Sequence, residues 1–281
     1  MPKKRASELY VTDQIDGFRV AKVGGWAEEK HLRLRRYVDI SRAARRKWSK
    51  EYGKKTGYID LYCGPGRAMI KETGEFIDGS AVVAATEAAE KNVPFNGIYV
   101  ADLDQQNVEA CVARLTAKGC TGVHAFVGAA VDTSRQVVQQ IDRTSLHIAL
   151  LDPFNIGSLP FEVIRTLGQV KHLDMIIHVS TMDLQRNLRA MMDNGILEAF
   201  APGWAKVVDI RERNELVMSA VFRHWRACLA SLNYKVSDNI ERVSGAKNQP
   251  LYWLVLASRS ELADKFWAQI SQVNPQRALP L

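Results

Sequence analysis

The sequence predicts an α/β fold: a mostly parallel, seven-stranded sheet with helices on both faces and a C-terminal antiparallel hairpin. Three observations predict it. Short apolar, partly β-branched runs alternate with helical stretches from Gly57 to residue 179, as buried parallel strands and their crossover helices do. The first run opens into a glycine turn, Gly64-Pro65-Gly66, at the place where an open parallel sheet binds its ligand. After the fifth run the rhythm changes to two helices followed by two closely spaced strands.

Residues 1–25 lack clear periodicity and end at Gly24-Gly25. Over 26–52, Leu34, Tyr37, Val38, Ala44, Trp48 and Tyr52 follow helical spacing, with Arg35, Arg42, Arg46 and Lys50 near the opposite face; Gly53 stops that helix. Strands are predicted at 58–62, 98–101, 123–127, 146–151 and 175–179, with helices between them near 80–92, 104–118, 133–142 and 160–170. Helices near 184–199 and 213–231 lead to strands at 234–236 and 251–257, an antiparallel pair at the sheet edge, and a helix near 260–271 closes the chain.

The chain has 281 residues, 47% hydrophobic and 25% charged, values of an ordinary globular protein. Its net charge of +7 is concentrated at one end: residues 1–55 hold 16 Lys/Arg against 7 Asp/Glu, and the other 226 hold 22 against 24. The division is a basic, helical N-terminal extension (1–55) and an α/β domain (56–281). The asymmetry points to a polyanionic partner, although a solvated helix face explains a charge run equally simply. No apolar run approaches the roughly 18–20 residues that span a bilayer, and the basic N-terminus lacks a signal-peptide core, so no membrane and a cytoplasmic location are expected. Cys63, Cys111, Cys120 and Cys228 form no C-x-x-C pair and have no nearby histidine to complete a zinc site; reduced cysteines and no metal are expected.

Residue identities decide what the glycine turn holds. A phosphate-binding loop needs Gly-Lys-Ser/Thr, but Arg67-Ala68 follows. A dinucleotide fingerprint needs a third glycine where Met69 stands, which weakens a nicotinamide-dependent reading. S-adenosylmethionine (SAM) carries a positive sulfonium and a zwitterionic end, so a carboxylate at the turn is useful. Asp60 ends the first strand four residues before Gly64, and Asp60-x-Tyr62-x-Gly64-x-Gly66 looks like the SAM motif of class I methyltransferases. The second strand ends in Asp102, placed to accept both ribose hydroxyls, followed by Leu103 and by Asp104 as helix cap. After the third strand, Gly128-Ala129-Ala130-Val131-Asp132 supplies small residues and an acid for adenine, with Asp132 as readily a cap as a ligand. The predicted fold is thus Rossmann-like, of the class I methyltransferase type, with SAM as cofactor.

The fourth strand ends Asp152-Pro153-Phe154-Asn155. Amino-group methyltransferases carry Asp/Asn-Pro-Pro-Tyr/Phe there. An exocyclic amine is a poor nucleophile because its lone pair is delocalised; oxygen acceptors for its N–H bonds return electron density to nitrogen while an aromatic ring stacks on the base. Asp152, Pro153 and Phe154 are the catalytic candidates, although the second proline is missing and Phe154 stands one position early. A strand-ending turn with a packed phenylalanine is the plainer alternative.

Lys30-His31-x-x-Leu34-x-x-Tyr37, the stretch 58–67, Asp78-Gly79-Ser80, Leu150-Leu151-Asp152-Pro153-Phe154 and Tyr252-Trp253-Leu254-Val255-Leu256-Ala257-Ser258 follow one another over roughly residues 28–260. In this order they resemble the three-Cys-motif partner (TcmP) family. That resemblance implies a Rossmann-like methyltransferase fold and association with a protein bearing a three-cysteine, radical-SAM-like motif. Ala81 departs from the proline that the family has after Asp-Gly-Ser. Lys-His on an N-terminal helix is also loosely similar to ribosomal-RNA adenine methyltransferases. Substrate-side candidates are Lys30, His31, Arg42, Arg45, Arg46 and Arg67; a lone helix histidine is more often structural, and Arg67 is equally open to a plain salt bridge. His124, His147, His172, His178 and His224 share no spacing and support no role. The function expected is SAM-dependent methylation of nucleic acid at an exocyclic amino nitrogen, with a non-catalytic, accessory partner role as the rival.

Overall fold

The computed structural model describes residues 9–244 and 250–271. The chain begins with β1 (Tyr10–Thr12), β2 (Arg19–Val23), α1 (Trp26–Ile40), α2 (Arg42–Glu51), β3 (Thr56–Asp60), β4 (Arg67–Ile70) and β5 (Phe76–Asp78). It continues through α3 (Ser80–Glu90), β6 (Gly97–Asp102), α4 (Gln105–Ala117), β7 (Val123–Val127), α5 (Ala130–Gln140), β8 (Leu146–Leu151), α6 (Phe161–Leu167) and β9 (His172–Val179). It ends with α7 (Thr181–Asp193), α8 (Ile196–Phe200), α9 (Asn214–Ser231), β10 (Lys235–Val236), β11 (Glu241–Ser244), β12 (Pro250–Ser258) and α10 (Glu261–Ser271).

The main sheet has the order β7-β6-β3-β8-β9-β12-β10, and β11 also pairs with β12. Strands β7, β6, β3, β8 and β9 are parallel, while β12 runs antiparallel to β9 and to both β10 and β11. β10 and β11 are two pieces of one edge strand, giving seven strand positions. This is the Rossmann-like class I methyltransferase fold, with its terminal antiparallel hairpin. Strand order reverses between β3 and β8, which sets the switch point beyond their carboxyl ends.

Strand periodicity sorts the core into two layers. Ile59, Tyr99, Ala101, Ala149 and Leu151 face one layer, packed with α5 to α9. Tyr58, Ile98, Val100, Ile148, Leu150, Ile176, Tyr252 and Leu254 face the other, with α1, α3, α4 and α10. Apolar side chains on both faces are why these strands read as continuous hydrophobic runs.

Several features depart from the sequence reading. The helix expected near 184–199 is two helices, and the expected linker 237–249 contains β11. Two further departures lie before α3. The stretch before Gly24 is paired structure: β1 and β2 form a hairpin, and β2 joins β4 in parallel, with β5 completing a four-stranded second sheet. The glycine turn therefore leads into a strand, and the helix that should follow it starts only at Ser80. The insertion 67–78 closes on itself: Gly79 N–H donates to the Gly66 carbonyl at 2.8 Å, and a Cβ on Gly79 would lie 2.7 Å from that backbone. The helix expected over 26–52 is also two helices. Ser41 donates its hydroxyl back to the Val38 carbonyl at 3.1 Å, a back-bond that bends helices. Among the described residues no helix is long and apolar enough to cross a membrane.

Candidate active site

Gly64 (φ 55°) and Gly66 (φ 76°) both take the left-handed conformation that favours glycine. Their surroundings differ. A Cβ on Gly66 would meet the Cys111 backbone at 3.0 Å, whereas nothing lies within 4 Å of one on Gly64. Gly66 is fixed by packing, and Gly64 faces open space.

Asp60 lies beneath this turn, fully buried. It accepts the Ser80 hydroxyl (2.6 Å), the Tyr58 hydroxyl (3.2 Å) and the Tyr62 N–H (3.1 Å). Burial pushes its pKa up to about 6 against these three bonds. Its oxygens are thus spent on tying β3 to the start of α3. Tyr62 is half-buried, with its hydroxyl donating to the Ser158 carbonyl at 2.6 Å.

Asp102, one strand away, is partly exposed. Its carboxylate accepts the Gly64 N–H (3.1 Å), the Asp104 N–H (2.9 Å) and an N–H of Asn107 (3.1 Å). Asp104 caps α4, accepting the Gln106 N–H at 2.9 Å, and pairs with Arg19 of the N-terminal hairpin at 2.5 Å. Large apolar side chains crown these strands. Leu103 is 75% exposed, Val127 at the end of β7 is 49% exposed, and Phe154 beyond β8 is 84% exposed. Asp132 sits in the first turn of α5, whose cap position is Ala129; it is exposed and paired with Arg135 at 3.2 Å.

Asp152 follows β8 on the α1 face of the sheet. Lys30 of α1 forms an ion pair with its Oδ2, and His178 Nδ1 of β9 lies 3.7 Å from its Oδ1. The parallel register pairs Leu151 with Ile177, so Asp152 and His178 are lateral neighbours. Burial pushes the Asp152 carboxyl up, but Lys30 and His178 outweigh it and hold it below the usual carboxylate range. His178 is held neutral, its pKa pushed down to about 4 by burial with Asp152 opposing, and its ring packs 4.3 Å from that of Tyr252. His31 is likewise neutral, pushed down to about 3 by burial and by Lys30. Pro153 is buried, and Asn155 caps the short helix Ile156–Ser158 by accepting the Ser158 N–H at 2.9 Å.

The substrate-side arginines do not gather here. Arg45 is 0% exposed: it donates to the carbonyls of Val93 and Val38 and stacks 4.7 Å over Phe95, so the expected phosphate contact is corrected to a role in the core. Arg42 is exposed and paired with Asp39, and Arg46 is exposed on the same helix. That helix covers the amino end of the sheet, where Trp48 packs on His172 at 4.7 Å. The length of a six-residue strand, about 20 Å, separates that end from Asp152. Arg67 pairs with Asp13 at 2.8 Å and holds the β1–β2 turn. A cavity of about 170 Å³ also opens at the amino end, lined by Trp48, His172, Asp174 and Ser258, away from the glycine turn.

Sequence reasoning missed His178. Its spacing from other histidines carries no signal, but its place just before the end of the fifth strand does, once strand order puts it beside Asp152.

No family model and no curated protein sequence matches the chain. Its fold is similar to that of an rRNA methylase from Streptococcus thermophilus (12% identity, TM-score 0.41, covering 83% of this chain and 95% of that one). It is also similar to M. jannaschii TYW2 in complex with AdoMet (8%, TM-score 0.45, 89% and 85%). A third is the O-methyltransferase from Bacillus cereus in complex with SAH (8%, TM-score 0.42, 84% and 92%). At these identities and scores none of them assigns a substrate, and the fold rests on strand order and direction.

Proposed function

We propose that this chain is a SAM-dependent methyltransferase that acts at an exocyclic amino nitrogen of a nucleic-acid base. One observation carries the reading: Leu103, Val127 and Phe154 stay exposed at the carboxyl ends of β6, β7 and β8, around a partly exposed carboxylate and an open glycine turn. Exposed apolar side chains grouped at a switch point mark a surface that a flat, partly apolar ligand covers. The residues present fit SAM. Asp102 suits the ribose hydroxyls, Leu103 and Val127 an adenine ring, and Gly64 with Tyr62 the chain leading to the sulfonium; Asp60, already satisfied, supports the turn from below.

When bound, SAM would supply an electrophilic methyl group and leave as a neutral thioether, and the proton displaced from the acceptor nitrogen would pass to solvent at the partly exposed end of the site. Asp152 accepts an N–H of the acceptor and returns electron density to its nitrogen, while Phe154 offers a ring face to the base.

Native mass spectrometry of the purified protein, followed by labelled-methyl transfer to total RNA and DNA, tests this reading. One bound SAM and label in nucleic acid are expected; label in neither pool overturns the substrate half. Since Arg42 and Arg46 lie about 20 Å from the pocket, only an acceptor of about six nucleotides or more, at 3.4 Å each, reaches both. The accessory reading, as partner of a three-Cys-motif protein, is favoured by the Lys30 ion pair, which already occupies one oxygen of Asp152. Co-purification of such a protein, with no methyl transfer, would select it.

A further inference from the structure

Asp152 lies between side chains from two elements that the sequence separates widely. Lys30 arrives from α1, 122 residues earlier, and His178 from β9. Strand alternation puts Asp152, His178 and Tyr252 on one face, and α1 crosses that face with Lys30 and Tyr37 seven residues apart on one stripe. Tyr37 donates to Asp174 at 2.9 Å, so the helix is fixed at its far end, and the Tyr252 hydroxyl donates to the Trp26 carbonyl at 3.0 Å near its beginning. Lys30 is therefore delivered to Asp152 by a helix pinned on both sides.

The result is an asymmetric carboxylate. Its Oδ2 is bound to Lys30. Among the described residues its Oδ1 accepts no hydrogen bond, the nearest nitrogen being His178 Nδ1 at 3.7 Å, beyond bonding range. His178 Nδ1 has no hydrogen-bond partner among the described residues either. The Asp152 side chain is 19% exposed, toward the pocket end of the sheet. A carboxylate oxygen open to the pocket end, beside an unpartnered imidazole nitrogen, leaves a place for a donor.

We propose that Lys30 is a positioning residue of the acceptor site, which holds the Asp152 carboxylate by Oδ2 and leaves Oδ1, beside His178, for an N–H of the acceptor. This rests on the methyltransferase reading and deepens it. The site then selects acceptors whose reacting nitrogen carries a proton, and it disfavours tertiary amines, thioethers and carbon nucleophiles, which offer no donor. Lys30 cannot be replaced by a neutral side chain without loss, because its charge keeps Asp152 ionised inside the protein. The groups facing His178 are Lys30 from α1, Asp152 beyond β8 and the Tyr252 ring from β12.

Two measurements test it independently. The first follows the imidazole resonances of the full chain against pH, in wild type, Lys30→Met and Asp152→Asn. Removing the cation should raise the His178 titration by roughly one pH unit, and removing the carboxylate should lower it. Titration unchanged in both variants overturns the pairing. The second is labelled-methyl transfer to total RNA and DNA. Lys30→Met should lower kcat by roughly 10- to 100-fold, as loss of a supporting partner does elsewhere, and move the acid limb of the pH profile upward. SAM affinity should stay within about twofold, and Lys30→Arg should recover part of the rate. An unmoved limb and an unchanged kcat overturn the proposal. If wild type methylates neither pool, the functional reading has failed, and the resonance titration decides the pairing alone.

Discussion

Helix α1 touches two partly buried aspartates on the same face of the sheet, and they are treated in opposite ways. At the carboxyl end Lys30 meets Asp152 and, with His178, holds its carboxyl below the usual range against the effect of burial. At the amino end Tyr37 and Ser258 donate hydroxyls to Asp174, and burial raises that carboxyl despite them. Hydroxyls satisfy a carboxyl in either protonation state, whereas an ammonium favours the ionised one. The difference teaches where the fold maintains a charge. It keeps a carboxylate ionised next to the glycine turn, Asp102 and Phe154, whereas the carboxyl at the amino-end cavity is met by hydroxyls alone.

The comparison breaks first on rates. Asp152→Asn should lower methyl transfer by about 10²- to 10⁴-fold, while Asp174→Asn should leave turnover per folded molecule within a few-fold. Single-turnover assays on both variants check this, and equal losses would remove the distinction between the two ends. Next comes affinity. Asp102→Ala should weaken SAM binding by about 10- to 100-fold, the worth of hydrogen bonds to a charged group, as measured by calorimetry. Part of that loss comes through Gly64, whose N–H the carboxylate accepts.

How far the sequence showed all this depends on the range of the interactions. Strand positions, the hairpin, the glycine turn and Asp102 were legible because periodicity and turn chemistry are local. The second sheet was not, since β2 finds its partner β4 47 residues later (Ala21 opposite Ala68) and neither is long enough to show alternation. Arg45 misled because it was grouped with the charged neighbours of its arginine-rich helix, yet it falls on the buried stripe of Leu34 and Val38 and packs inward against Phe95. Lys30 and Asp152 were each singled out, but their contact spans 122 residues. His178 acquired meaning only from the register of β8 and β9.

Smaller effects sharpen the picture. Gly66→Ala should destabilise the fold by about 2 kcal/mol, from positive φ and contact with Cys111, whereas Gly64→Ala, strained but uncrowded, should cost about 1 kcal/mol and act mainly on SAM affinity. Thermal melts separate the two. The smallest effect has a sign for each end. Asp152, with its folded pKa lowered, contributes stability above the ordinary carboxylate range that is lost as pH falls through the folded value. Asp174, with its pKa raised, contributes stability below that range that is lost as pH rises through the folded value, and Asp60 does the same between about 4 and about 6. Melting temperatures of the two Asp→Asn variants, referred to wild type from pH 3 to 7, should therefore diverge in opposite directions; parallel curves would show that the two carboxyls are held alike.

The central claim is that the crevice around Gly64 and Asp102 binds SAM. Calorimetry with SAM and with its demethylated product, on wild type and Asp102→Ala, tests it most directly. One site per chain is expected in wild type, with a loss of about 10- to 100-fold in the variant. No binding of either ligand at millimolar concentration, or binding that Asp102→Ala leaves unchanged, would contradict it.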